Sequence, residues 1–169
     1  NSYYNAKRAF DEAEDEIHAA ALAARAKNLK QIQPAVPPVS AKQKLGVVID
    51  KCSSILSFHS SSSFVDNALL LIGKSYFYQA EYVKAERKFL ELNEQFPSSS
   101  LILESRLWQA RTLDRLNRPE ESIAILISLS DDAEAEGEDE IAAQARLLLG
   151  TLYELQSEQE KAVGQYVRA

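Results

Sequence analysis

The sequence predicts an all-α fold, a superhelical solenoid of antiparallel helix hairpins, and three observations carry that prediction. Tyr76 follows Gly73 by 3 residues, Ala85 follows Gly73 by 12, and Phe89 follows Ala85 by 4. Ala110, Leu113, Ser122 and Leu126 repeat this spacing, and Gly150, Tyr153, Ala162 and Tyr166 repeat it again. A small-large-small-large set that recurs after 37 and then 40 residues marks a repeated helix-turn-helix unit, whose apolar face is buried only by stacking on its neighbours. The second observation is composition. The 169 residues hold 5 Gly and 5 Pro, three of the prolines (Pro34, Pro37, Pro38) fall in one segment, and no alternating β-branched run reads as a strand. Third, Tyr3, Ala6, Phe10, Ala13, Ile17, Ala20 and Ala24 recur at three and four residues, the period of one helix face.

The chain reads as a single domain over 1–169, with an elongated N-terminal helix pair over 1–63 and hairpins over 64–99, 101–136 and 138–169. The first helix is expected from Ser2 to about Lys30; its acidic start (Asp11, Glu12, Glu14, Asp15, Glu16) and basic end (Arg25, Lys27, Lys30) suit the helix dipole. Gln33 to Ser40 must be largely extended, because a residue preceding proline is pushed out of the helical region. A second helix is expected from Ala41 to His59, and Ser60 to Ser63 form a polar loop. Asp66 is the expected N-cap of a helix reaching Gln79, with Tyr82 to Phe96 as its partner, and Pro97 closes the hairpin by removing a donor. Helices are then expected over Leu101 to Leu116 and Glu120 to Asp131, with Pro119 at the start of the latter, where a missing N–H does little harm. The last two run from Glu138 to Leu155 and from Glu158 to Ala169. Ser98-Ser99-Ser100 and the acidic run Asp131 to Glu140 read as insertions between hairpins. Gly73 and Ala85 are small because the two helices of a hairpin cross closely there, whereas Tyr76 and Phe89 fill the gap toward the next unit.

Several function classes are excluded. A net charge of -6 without a dense Lys/Arg cluster argues against nucleic acid. The longest apolar stretches, Ala19 to Ala24 and Ala68 to Ile72, fall far short of the roughly 20 residues of a spanning helix. Cys52 has no partner for an internal disulfide and sits in the helical pattern Val48, Cys52, Ile55, Leu56 as a packed residue. Glu14 precedes His18 by four residues without a third ligand, and His59 has no evident partner. Glu120-Glu121 and Asp131-Asp132 read as solvated helix ends, and the acidic run lacks the alternating oxygen ligands of a calcium loop. No phosphate loop or nucleophile elbow occurs, so the chain is expected to be no enzyme and to need no cofactor or metal. The chain contains no Met and opens on Asn1, and Ala169 falls near the twenty-seventh position of the third unit. The natural start and the closing turn are therefore expected outside it.

The expected working surface is the inner face formed by the first helix of each hairpin, opposite the packed Gly and Tyr positions. On the helix after Asp66 these residues are Asn67, Leu70, Lys74, Phe77 and Tyr78; on the next first helix, Glu104, Leu107, Arg111, Asp114 and Arg115; on the third, Gln144, Leu147, Thr151 and Glu154. Asn67, Leu70, Lys74, Phe77, Tyr78, Arg111, Asp114 and Arg115 form the candidate partner-binding groove. Aromatics beside Lys74, Arg111 and Arg115 suit a peptide with apolar anchors and an acidic group. The competing expectation is that Phe77 and Tyr78 pack against the N-terminal helices and that the arginines pair with Asp114 or Glu104.

Ile72-Gly73, Tyr76, Ala85, Phe89 and Pro97 resemble the tetratricopeptide repeat (TPR), which implies a TPR-type α-α superhelix that binds a protein or peptide. Tyr3-Tyr4-Asn5-Ala6-Lys7-Arg8-Ala9-Phe10, Phe64 to Leu69 and Gly73-Lys74-Ser75-Tyr76-Phe77 further resemble the tetratricopeptide lipoproteins of the bacterial envelope, BamD-like outer-membrane assembly factors and Tol-Pal coordinator proteins. That resemblance implies a periplasmic scaffold, an outer-membrane lipid anchor upstream of Asn1, and outer-membrane assembly components as partners; the alternative is a cytoplasmic adaptor or regulator. The carboxylate clamp of the family's cochaperone members is not matched, because Leu70 and Lys74 stand at its fifth and ninth positions.

Overall fold

The structure, a computed structural model, describes residues 2–27 and 36–169. The described residues form α1 (Ser2–Lys27), α2 (Val39–Phe58), α3 (Val65–Tyr78), α4 (Tyr82–Gln95), α5 (Ile102–Arg115), α6 (Pro119–Glu136), α7 (Asp139–Leu155) and α8 (Gln159–Arg168), with no strand among them. They fall into two compact units, Asn1–Lys84 and Ala85–Ala169. The expected first-helix end at Lys30 and residues 33–35 of the proline-rich connection lie outside the described residues, while Pro38 is extended, at φ -52° and ψ 150°, and α2 starts at Val39 rather than Ala41.

In the first unit the predicted seam of α1 is the buried one. Ala6, Phe10, Ala13 and Ile17 pack with Ala41, Leu45, Val48, Cys52 and Ile55 of α2 and with Ala68, Leu71 and Ile72 of α3. The alanines on both sides of this contact let the backbones approach, and the Phe10 ring fills the space so created. At the solvent edge Lys44 Nζ lies 2.9 Å from a carboxylate oxygen of Glu12 and 2.9 Å from one of Glu16, and Ser40 Oγ donates to Glu16 at 2.5 Å. The Ser40 hydroxyl and then the Lys44 ammonium hold the Glu16 carboxyl below its ordinary range. The N-cap position of α3 is Phe64, with no side-chain cap; Asp66, expected there, lies in the first turn and accepts the Asn67 N–H at 2.8 Å. Ser62 organises the preceding turn by accepting the Phe64 N–H at 3.3 Å, which starts the helix one residue before Asp66.

In the second unit α5 pairs with α6 and α7 with α8, and α7 lies against both α5 and α6. Leu103, Leu107, Ala110, Leu126, Leu129 and Ala133 form one core with Ala142, Ala145, Leu149, Leu152, Tyr153 and Ala162. The sequence spacings are physical contacts here. Ser122 Oγ donates to the Ala110 carbonyl at 2.9 Å, and a Cβ on Gly150 would stand 2.5 Å from the Tyr166 ring. Pro119 is the first residue of α6, as expected, but α6 runs to Glu136 rather than ending near Asp131. Ala133 is buried in the core, which favours the extra turns, and Gly137 stops the helix at φ 77° while the Glu138 N–H returns to the Ala133 carbonyl at 2.8 Å. Asp131, Asp132, Glu134 and Glu136 are thus the surface of a helix, not an insertion.

The closure seen at Gly137 recurs at three turns between the two helices of a hairpin. Ala80, Asn117 and Ser157 are left-handed, at φ 60°, 59° and 64°, and the next residue's N–H reaches back five positions: Glu81 to Tyr76 at 2.9 Å, Arg118 to Leu113 at 3.0 Å, Glu158 to Tyr153 at 2.9 Å. This is the Schellman closure of a helix C-terminus. Its acceptors Tyr76, Leu113 and Tyr153 are the large residues of the repeated set, so side-chain spacing and backbone turn share one register.

Candidate first-helix binding face

The candidate residues of the first unit are gathered around a carboxylate contributed by α1. Tyr78 OH donates to Glu14 Oε1 at 2.7 Å, and Lys74 Nζ stands 3.7 Å from the same oxygen and 4.9 Å above the Phe10 ring. Phe77 meets the Tyr78 and Tyr82 rings edge-on, at 6.0 and 5.5 Å between centroids. Tyr78 therefore packs against the N-terminal helix, the competing expectation from sequence. Asn67 is half-buried and donates its side-chain amide to Asp66 at 3.1 Å. Leu70 is a correction to the candidate groove: it is buried, 6% exposed, in an α3 whose apolar residues run nearly all round the helix.

The second unit repeats the arrangement with different chemistry. Arg111 Nη2 donates to Gln144 Oε1 of α7 at 2.6 Å, and its guanidinium lies 4.7 Å from the centre of the Trp108 ring. Gln144 in turn donates to Glu140 at 2.6 Å. Asp114 is half-buried and Arg115 exposed, so these two offer the more open surface. Leu107 is buried in the core, while Leu147, Thr151 and Glu154 are exposed. Within each unit, then, a cation of one first helix is tied to an oxygen of the neighbouring first helix: Lys74 to Glu14, Arg111 to Gln144. Sequence reasoning missed Glu14, which stood out only as a possible partner of His18, and Trp108. Their signal is helical spacing: Glu14 follows Phe10 by four residues and Arg111 follows Trp108 by three, so each pair shares one helix face.

No other chemistry competes for attention. Burial pushes the Cys52 thiol up to about 12, so at neutral pH it is a protonated, packed group rather than a nucleophile. His18 and His59 are exposed. Among the described residues no group of three or more His, Cys, Asp or Glu is placed to hold a metal ion, and no helix is long and apolar enough to cross a membrane.

A family model described as tetratricopeptide repeat matches residues 67–99, the stretch that holds Gly73, Tyr76, Ala85, Phe89 and Pro97. A search of curated proteins finds no match. The architecture is that of an all-α, TPR-type helical repeat, and repeats of this kind generally mediate protein–protein interaction.

Proposed function

We propose that the protein is a scaffold that takes a protein or peptide partner on the inner face of its first helices, through an acidic group set among aromatic side chains. The observation that carries this reading is Glu14: its carboxylate, between the Tyr78 hydroxyl and the Lys74 ammonium, displays the ligand chemistry this face accepts. Arg111, Asp114 and Arg115 supply the corresponding charged surface on the second unit. For the compartment we propose the bacterial envelope and a role in outer-membrane assembly, on the resemblance of the N-terminal residues to envelope tetratricopeptide lipoproteins. A signal sequence ending in a lipid-carrying Cys in the full gene is the expected finding; a gene without one turns the reading to a cytoplasmic adaptor.

The binding test uses tagged protein and envelope extract. A partner retained by the wild type should be lost with Arg111→Ala and with Arg115→Ala; the unfolding temperature should stay within a few degrees for Arg115→Ala, because an exposed position contributes little to the core, and fall further for Arg111→Ala, whose half-buried guanidinium is bonded to Gln144. A partner kept by both variants but lost with Lys84→Ala or Lys88→Ala moves the docking site to the second helices.

A further inference from the structure

The three hairpin turns share one backbone shape, yet the middle one carries its charges the other way round. In the first and third an acid precedes a lysine: Glu81 pairs with Lys84 at 2.8 Å, and Glu158 pairs with Lys161. Each lysine ammonium also lies 5.4 Å from the centre of a tyrosine ring, Tyr76 or Tyr153. In the middle turn the base comes first, Arg118 pairing with Glu121 at 2.6 Å, and Leu113 stands in place of the tyrosine. The inversion gives Arg118 a second partner. Its Nη1 donates at 2.6 Å to Glu86 of α4, a side chain that is 16% exposed. Seven residues further along α4, on the same face, the Asn93 side-chain amide donates to Gln109 of α5 at 2.9 Å. The next junction is built differently. Ile123 and Ser130 of α6 follow Glu86 and Asn93 by 37 residues, and Leu149 and Glu158 follow Gln109 and Arg118 by 40. Ile123 and Leu149 pack in the core, and the Ser130 hydroxyl donates to the Ile127 carbonyl of its own helix.

We propose that the Glu86–Arg118 and Asn93–Gln109 contacts form a polar lock that selects the α5–α6 hairpin as the neighbour of α4 and sets its register. The same face of α4 offered to the α7–α8 hairpin would set Glu86 against Glu158 and the Asn93 amide against Leu149. That exchange creates a like-charge contact and a buried amide without a partner. Selection, rather than added stability, is what the polar residues contribute. Asn93 Oδ1 is buried with no donor among the described residues, a cost that an apolar side chain there would not carry. A polar pair in a packed contact fixes register where apolar surfaces alone would accept several.

The test is a charge-reversal cycle on the whole chain, read by urea unfolding and by native-state amide exchange. Arg118→Glu with Glu121→Lys keeps the pair inside the turn but opposes Glu86, and Glu86→Lys alone opposes Arg118. Each should raise the unfolding constant and speed exchange in α4, while α7 and α8 keep their rates. All three changes together restore the contact with its charges exchanged. The combined variant should therefore be about fivefold or more stabler, in unfolding constant, than the product of the separate effects. Glu158→Lys with Lys161→Glu, the same inversion at the third turn, should leave exchange in α4 unchanged. Arg118→Gln removes the contact without adding a like charge and should still speed α4, so a reversed variant that fails to fold does not decide the matter. Additive effects in the cycle, faster exchange shared by α7 and α8, an α4 that responds equally to the third-turn inversion, or one that ignores Arg118→Gln overturns the proposal.

Discussion

The N-terminal helix pair and the two C-terminal hairpins hold two helices together by different means. Between α1 and α2 a long apolar seam, Ala6, Phe10, Ala13 and Ile17 against Ala41, Leu45 and Val48, carries the contact, and exposed polar links through Glu12, Glu16, Ser40 and Lys44 trim its edge. In α5–α6 and α7–α8 the contact is set at fixed points: the Ser122 hydroxyl on the Ala110 carbonyl, the Tyr166 ring over Gly150, and a left-handed residue at the turn. A long seam spreads its stability over many residues, whereas a short hairpin concentrates it where the backbones approach most closely. The first kind should lose most on deletion of volume, the second on its addition.

The largest expected effect follows from that contrast. Phe10→Ala removes a fully buried ring between α1 and α2 and should cost about 3–5 kcal/mol, measured by denaturant unfolding followed through α-helical circular dichroism. A loss below about 1 kcal/mol would show that the seam closes over the gap and is not packed as described. Next, Gly150→Leu must displace the Tyr166 ring and should cost about 1–3 kcal/mol. Gly164→Ala, on a helix position with nothing within 4 Å of the added carbon, should instead raise stability by up to about 1 kcal/mol. If the two glycines respond alike, close approach is not what selects Gly150.

The turns permit a finer comparison. Ala80→Gly relieves a β-carbon held in the left-handed region and should gain about 0.5–1 kcal/mol in thermal unfolding, after the extra entropy glycine loses on folding. Asn117→Gly should gain less, because asparagine tolerates that region. The smallest effect is electrostatic. Glu16 is half-buried and its folded pKa lies below the ordinary 4.5, so its contribution is complete above pH 4.5 and is lost as pH falls through the folded value. Lys44 is raised above its ordinary 10.5 by Glu12 first and then Glu16, so its share is complete below that pH and lost on going above it. Glu16→Gln should therefore flatten the stability profile below pH 4.5 and leave the plateau between the two limits nearly level. An unchanged acid limb would remove Glu16 from the edge contact.

Most helices were legible in the sequence because their apolar positions follow the 3.6-residue period, and the hairpins because small residues recur where backbones must approach. Two boundaries were not. Asp66 has the side chain of a cap, yet Phe64 takes the position because the turn before it closes through Ser62. The acidic stretch after Asp131 looks like a loop by charge and is helix because Ala133 reaches the core. Leu70 and Leu107 were misplaced on the open face for a related reason: an apolar residue at a facing position in sequence is buried if the neighbouring helix lies close enough.

By itself the sequence determined the all-α class, the register of the α5–α6 and α7–α8 hairpins and the small residues Ala110 and Gly150 at their close contacts, since these depend on local periodicity and side-chain size. Tertiary structure alone decided what stands opposite the candidate binding residues. Glu14 meets Tyr78 from 64 positions away and Gln144 meets Arg111 from 33, and no local pattern encodes a partner that only the stacking of one helix beside another brings within hydrogen-bonding distance.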